Sequence, residues 1–321
     1  MMNEFALIDA YFKRLSEHAG ALLSPSHPEL MPALGIGDDC ALLNVPAGMQ
    51  LAVSSDTLVA GVHFPESASA FDIGYKSLAV NLSDLAAMGA QPAWFSLCVT
   101  LPDQSENWIE SFCEGMAAVM EPSPIVLIGG DTTRGPLSIS IQVMGLVPQG
   151  KAMTRSGAQV GDTIYVSGCV GEAALGLLLA QNEKHELWSQ DLDHQHLLRR
   201  LHRPEPRVVL GWAIKTVAHA CIDVSDGLLA DLNHVLQASA VGAQLDLQAI
   251  PTAQGLDPMQ ALSAGDDYEL CFTASPADHD QVIAMGQVLD LPITAIGTIT
   301  EGSGIIDLQG QPITVSGYRH F

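Results

Sequence analysis

Basic residues are scarce in this 321-residue chain: 13 Lys and Arg stand against 36 Asp and Glu, a formal charge of −23. A surface of that sign repels phosphodiester backbones and anionic lipid, so nucleic acid and membrane are excluded as main partners. Aromatics are only 5% while hydrophobic residues reach 48%, so the cores are aliphatic and long disorder is excluded. The six cysteines (40, 98, 113, 169, 221 and 271) form no CxxC pair and have no zinc spacing with histidine. They read as buried free thiols in a reducing compartment. No apolar run approaches the roughly 20 residues that span a bilayer. The start, MMNEFALIDAYFKRL, carries Glu4 and Asp9 and reads as an amphipathic helix rather than an export signal. The expected location is the cytoplasm.

What is present is an alternation of strand-like and helix-like segments in both halves, an α/β chain of two domains. Strand patterns fall at 51–56, 93–101, 125–129 and 137–147. Residues 71–89 have helical spacing at Ile73, Ser77, Val80, Asp84 and Met88, and 106–120 form a second helix closed by Pro122 and Pro124. Pro148, Gly150, Gly157 and Gly161 punctuate a connection, which places the boundary near residue 150: domains 1–150 and 151–321. In the second half, strands are predicted at 163–167, 244–247, 268–273 and 293–299. Helices are predicted at 171–181, 192–201, 207–218, 226–239 and 277–288.

The acidic residues are not spread evenly. Five motifs stand out: Gly35-Ile-Gly-Asp-Asp39, Ser54-Ser-Asp56, Asn81-Leu-Ser-Asp84, Gly129-Gly-Asp-Thr-Thr133 and Asp223-Val-Ser-Asp226, with Gly265-Asp-Asp267 a weaker sixth. Short carboxylates next to Gly, Ser or Thr suit Mg²⁺, a hard ion that takes oxygen ligands and shares them with phosphates. Each motif alone also suits a turn or helix cap. Asp84 fits that bland role least, because a carboxylate on an otherwise buried stripe is costly unless paired or metal-bound. Two charges about 4 Å apart repel by roughly 4 kcal/mol at an effective dielectric near 20, so aspartates that converge with phosphates need cations between them. Two commoner nucleotide signals fail. Gly145–Ala152 resembles a P-loop but has Ala152 in place of the metal-binding Ser/Thr and Pro148 inside the loop. Gly35-Ile-Gly37 lacks the third glycine of the dinucleotide motif.

Taken in order, GIGDDCALL, SSDTLVAGVHF, NLSDLAAMGA, GGDTTRG, TRSGAQVGD, DVSDGLLADL and DDYELCF resemble the thiamine-monophosphate kinase family from Gly35 to Tyr318. That family lies in a superfamily with aminoimidazole-ribotide and selenophosphate synthetases. The resemblance implies α/β (α+β) domains with mixed sheets: an N-terminal ATP/Mg-binding sheet that pairs across a homodimer, and a C-terminal α/β sandwich completing the site. It implies transfer from ATP to thiamine monophosphate, assisted by several Mg²⁺ ions. By motif position, Asp39, Ser54, Ser55, Asp56, Asp84, Asp131, Asp223 and Asp226 would hold metal. Gly130, Asp131, Arg155 and Ser225 would contact ATP, and His63, Asp266 and Tyr318 the acceptor. Asp39, Asp84, Asp131, Asp226 and Arg155 would carry the catalytic role. The chain has Asp266 where the family usually has Glu. An aminoimidazole-ribotide-synthetase-like enzyme and a non-catalytic nucleotide or metal sensor are the alternatives.

Overall fold

The computed structural model describes residues 4–23, 25, 27–102, 105–181 and 192–318. The chain divides into two units, Met1–Leu85 with Ala90–Gly150, and Ala86–Gly89 with Lys151–Phe321.

In the first unit the N-terminal segment is helical, α1 (Glu4–Leu7) and α2 (Lys13–Leu23) joined by a π-helical turn at Ile8–Phe12. Phe12, Leu15, Ala19 and Leu23 recur at helical spacing and are buried. The sheet is built from β1 (Met49–Val59), β2 (Gln91–Leu101), β3 (Val126–Arg134) and β4 (Ser138–Pro148) in the order β1-β4-β2-β3. β4 runs antiparallel to both its neighbours, and β2 and β3 are parallel. The alternating 137–147 segment is therefore an inner strand. The edges are β1 and β3, and in β1 the residues Leu51, Val53 and Val59, on one face, are exposed.

Helix α3 (Ala70–Ala87), as far as Leu85, and helix α4 (Glu106–Met120) belong to this unit. They cross with backbones in contact: a β-carbon at Gly74 would lie 2.0 Å from the Phe112 carbonyl oxygen, and one at Gly115 would lie 1.9 Å from that of Phe71. Ser105 caps α4 by accepting the Trp108 N–H. Met88, expected on the helical stripe, lies beyond the end of α3. The chain turns there through Gly89, at φ +62°.

The second unit holds a six-stranded mixed sheet of β5 (Thr163–Ser167), β6 (Ala218–Asp223), β7 (Gly242–Leu245), β8 (Leu270–Ala274), β9 (Ile293–Thr300) and β10 (Gly304–Asp307), ordered β10-β7-β9-β5-β8-β6. Among the described residues only the β10–β7 pair of this sheet is parallel. Its helices are α5 (Glu172–Ala180), α6 (His194–His202), α7 (Val208–Ile214), α8 (Leu228–Ser239), α9 (Pro258–Ser263) and α10 (His279–Val288). Ile164, Val166, Ile222, Leu228, Leu232, Val235, Leu245 and Ile296 are among its buried aliphatic core.

Several expectations need correction. The helix predicted at 207–218 stops at Ile214, and strand β6, which begins at Ala218, was not predicted; its alternation is hidden because both its faces are covered: Ala220 to Asp223 are all buried. The short elements β10 and α9 were not predicted. Cys40 and Cys98 are exposed, unlike buried Cys113, Cys221 and Cys271, because they sit on a loop and on an outward-facing strand position.

Candidate functional site

In the first unit, the acidic motifs fall into two groups. One lines a cavity of about 790 Å³ whose walls include Lys13, Gly37, Asp39, Gly129, Gly130 and Asp131. That volume suits a nucleotide-sized ligand. β3 supplies Asp131 through an irregularity: the β2–β3 register shifts between Phe95 and Ser96, so Gly129 and Gly130 pair with Ser96 and Leu97. Gly130 has φ +152°, and a β-carbon there would lie 1.7 Å from the Leu97 carbonyl oxygen, so only glycine fits. Lys13, ion-paired with Asp9 at 2.5 Å, is the basic side chain among the lining residues, and the sequence motifs did not single it out.

The second group lies between β1 and α3. Ser77, Asn81 and Asp84 form a polar stripe on α3 at spacings of four and three. The Asn81 carboxamide oxygen accepts the Asp56 N–H at 3.2 Å, and the Ser54 hydroxyl donates to Asp84 at 2.5 Å. Burial, with the nearby Asp84 charge adding to it, pushes the Asp56 carboxyl up to about 6. Strand alternation turns Ser55 to the opposite, exposed face of β1 from Ser54 and Asp56, so these two serines do not share a face. His63 accepts the Val59 N–H through Nδ1 at 3.0 Å. Among the described residues, no group of three or more His, Cys, Asp and Glu is arranged to hold a metal by itself.

In the second unit, sheet topology brings together motifs distant in sequence. β6 ends in buried Asp223, paired in register with Leu270 at the start of β8. This sets the 223–227 loop against the 264–269 loop. The peptide groups interlock: Asp266 N–H donates to Ser225 O at 2.9 Å, Tyr268 N–H to Val224 O at 2.9 Å, and Tyr318 N–H to Asp226 O at 3.0 Å. Ser225, Asp226, Asp266 and Tyr318 thus share one place in the fold. Arg155 lies on a loop alongside β6, since Cys221 N–H donates to Thr154 O and Ser239 Oγ to Arg155 O.

The Asp266 loop is held in an unusual backbone state. Asp266 and Tyr268 have φ +71° and +51°, which costs free energy for residues with a side chain. Between them, Asp267 turns inward and accepts the N–H groups of Gly171 (2.7 Å) and Ala173 (3.3 Å) at the start of α5. Burial pushes its carboxyl up to about 8. The next alternate residue, Glu269, is fully buried. It accepts from Arg200 (2.7 Å), from Arg207 (2.6 and 2.8 Å) and from Ser167 (2.5 Å). Burial alone would raise the Glu269 carboxyl. The Arg207 hydrogen bonds and charge, with Arg200 and Ser167, outweigh it and hold the group below the ordinary range.

These supporting groups, with Asp231 of α8, were missed as functional by the sequence reading. Asp231 and Glu269 do lie inside its quoted motifs DVSDGLLADL and DDYELCF. Their signal was an acid embedded among residues that are otherwise buried.

Comparison with known proteins places the chain among relatives. Residues 37–147 match the model of the AIR synthase related protein, N-terminal domain, and residues 159–308 match that of the C-terminal domain. The chain is 46% identical to thiamine-monophosphate kinase of Escherichia coli strain K12, over 99% of this chain and 98% of that one. A crystal structure of thiamine-monophosphate kinase from Stenotrophomonas maltophilia K279a is 47% identical, with a TM-score of 0.85, covering 97% of this chain and 98% of that one. A structure of AaThiL complexed with AMPPCP and TMP is 30% identical with a TM-score of 0.76, covering 100% and 99%.

Proposed function

The chain belongs to the thiamine-monophosphate kinase family, and from that premise we propose that it transfers the terminal phosphoryl group of ATP to thiamine monophosphate, yielding ADP and thiamine diphosphate by direct in-line displacement. The observation that carries this reading is the full ordered set of acidic motifs on the two matched domains. The AaThiL complex with AMPPCP and TMP supports both substrates.

The chemistry asks little covalent work of the protein. A phosphate monoester has a second pKa near 6 and is largely dianionic at neutral pH, so no general base has to remove a proton. Catalysis then rests on positioning and on neutralising charge. In this reading Gly130 allows close backbone approach, and Asp131, Arg155 and Ser225 contact ATP. His63, Asp266 and Tyr318 address the acceptor. Arg155 offsets charge on the transferring group.

The oxygen donors fit Mg²⁺. Burial, with the Asp84 charge adding to it, pushes Asp56 up to about 6, a penalty on its charged form that a cation would offset. Asp39, Ser54, Asp56, Asp84 and Asp131 of the first unit and Asp223 and Asp226 of the second would hold the ions, while the Ser55 side chain, on the other face of β1, would not share an ion with Ser54, Asp56 and Asp84. Bound Mg²⁺ would neutralise phosphate charge and orient the oxygens. The first unit is assigned the nucleotide and metal role, and the second completes the nucleotide and acceptor side.

We also assign a homodimer formed through the first unit. Support comes from edge strand β1, with Leu51, Val53 and Val59 exposed. No described helix is long and apolar enough to cross a membrane, and a cytoplasmic location fits the free thiols. The test is direct: purified protein with ATP, Mg²⁺ and thiamine monophosphate should form ADP and thiamine diphosphate in equal amounts. Failure to form both across a range of Mg²⁺ and salt would overturn the assignment.

A further inference from the structure

α8 starts after Gly227, and its fourth residue, Asp231, is buried. One oxygen of its carboxylate, Oδ2, accepts three consecutive backbone N–H groups: Ser225 at 3.0 Å, Asp226 at 3.0 Å and Gly227 at 3.1 Å. This differs from an ordinary helix cap. A capping side chain stands before the helix and satisfies N–H groups inside it. Here a side chain inside the helix reaches back and satisfies the loop before it.

The result is that two successive peptide groups are fixed at both ends. In the Ser225–Asp226 peptide, the N–H goes to Asp231 and the carbonyl accepts Asp266 N–H. In the Asp226–Gly227 peptide, the N–H goes to Asp231 and the carbonyl accepts Tyr318 N–H. A planar peptide held at its N–H and its C=O cannot rotate about its flanking bonds without losing both. The side-chain directions of Ser225 and Asp226 are thereby set. So is their register with Asp266 and Tyr318, which hang from the same two peptides.

We propose that Asp231 is a positioning residue for phosphoryl transfer, holding the 225–227 loop so that the nucleotide and metal contacts of Ser225 and Asp226 stay in register with the acceptor contacts of Asp266 and Tyr318. The inference rests on the phosphotransfer reading above for those four roles. Asp231 touches neither substrate. It acts through the two peptides.

The test compares Asp231→Asn, Asp231→Ala and Leu232→Ala, with rates counted per folded molecule from near-UV circular dichroism. Leu232 is the next residue of α8 and is fully buried, so its truncation destabilises the same helix without touching the loop bonds. Partners that orient metal ligands typically change metal affinity or activity by about 10- to 100-fold when removed. Asn retains one acceptor oxygen, so Asp231→Asn should lower kcat and raise the Mg²⁺ needed for half-maximal rate by about tenfold, and Ala by about a hundredfold. KM for both substrates should rise together. Leu232→Ala should melt earlier and keep wild-type kinetics. Wild-type kcat, Mg²⁺ requirement and KM values in Asp231→Asn would overturn the proposal, and so would the same kinetic defect in Leu232→Ala. Calorimetric binding of an Mg²⁺–ATP analogue makes the same comparison without an acceptor. If wild-type protein makes no thiamine diphosphate, the kinase reading fails, while a selective loss of nucleotide binding in Asp231→Asn would still uphold the positioning role.

Discussion

Replacing Glu269 by Gln tests the buried charge network beneath the Asp266 loop. The side chain of Glu269 is 1% exposed, against 8% for Arg200 and 14% for Arg207. Its two oxygens accept four hydrogen bonds, two of them from charged donors at one oxygen. Gln has a similar shape but no charge, and one oxygen becomes an NH₂ group. Whichever way the amide turns, that NH₂ faces at least one guanidinium donor. Oε1 receives Arg200 and Arg207, and Oε2 receives Arg207 and Ser167. Breaking a buried ion pair by removing one partner costs about 3–5 kcal/mol, because the remaining charge stays buried. For a domain of this size each kcal/mol moves Tm by about 2–4 °C, so a drop on the order of 10 °C is expected. Urea unfolding should show a lower midpoint at unchanged slope. The pH dependence supplies a second check. The folded-state carboxyl lies below its unfolded value of 4.5. Its contribution is therefore complete above the unfolded value and is lost as pH falls through the folded value. The stability gap between wild type and Glu269→Gln should be full at neutral pH and shrink in acid below 4.5. A midpoint change under about 1 kcal/mol, or a gap that does not vary with pH, would refute the reasoning.

Asp56→Asn should separate stability from activity. With its folded-state value raised from 3.8 to about 6, Asp56 weakens the metal-free fold as pH rises through that window. The variant should be more stable than wild type above pH 6 by on the order of 1–2 kcal/mol in chelator, yet lose turnover, and equal melting at pH 5 and pH 8 would contradict this. Gly115→Ala forces a β-carbon to 1.9 Å from the Phe71 carbonyl and must push α3 and α4 apart. A loss of about 3 kcal/mol or more is expected by thermal or urea melting, and a loss under about 1 kcal/mol would show that the helices adjust freely.

Much of the fold was legible because its signals are local. The long helices α3 and α4 and the strands of the first unit carry clear periodicity and clear punctuation at Pro and Gly. β6 was missed because a strand buried on both faces shows no alternation, and it follows closely on an apolar helix. The candidate site was legible as motifs, since Asp beside Gly or Ser marks carboxylates on tightly turning backbone. The division of labour among these acids was not. Nothing in Ser54-Ser55 says that one hydroxyl meets Asp84 while its neighbour faces away, until the strand is paired in register. Asp231, Asp267 and Glu269 look like the aspartates and glutamates around them. Only burial and the N–H or guanidinium groups they meet distinguish them. Lys13 lies some 25 residues before the first acidic motif and meets the cavity only through folding.

The loop at 264–269 has a consequence for how this protein can change. Its backbone is tied at Asp266 and Tyr268 to Ser225 and Val224, while Asp267 and Glu269 anchor it from below. Adding or deleting one residue would swap which side chains point outward and which are buried, exposing an anchor and burying Asp266. On the proposed assignment of Asp266 to the acceptor, that side is open to divergence by substitution at position 266 and closed to divergence by loop length. Relatives with altered preference should differ there in side-chain reach, and keep the spacing.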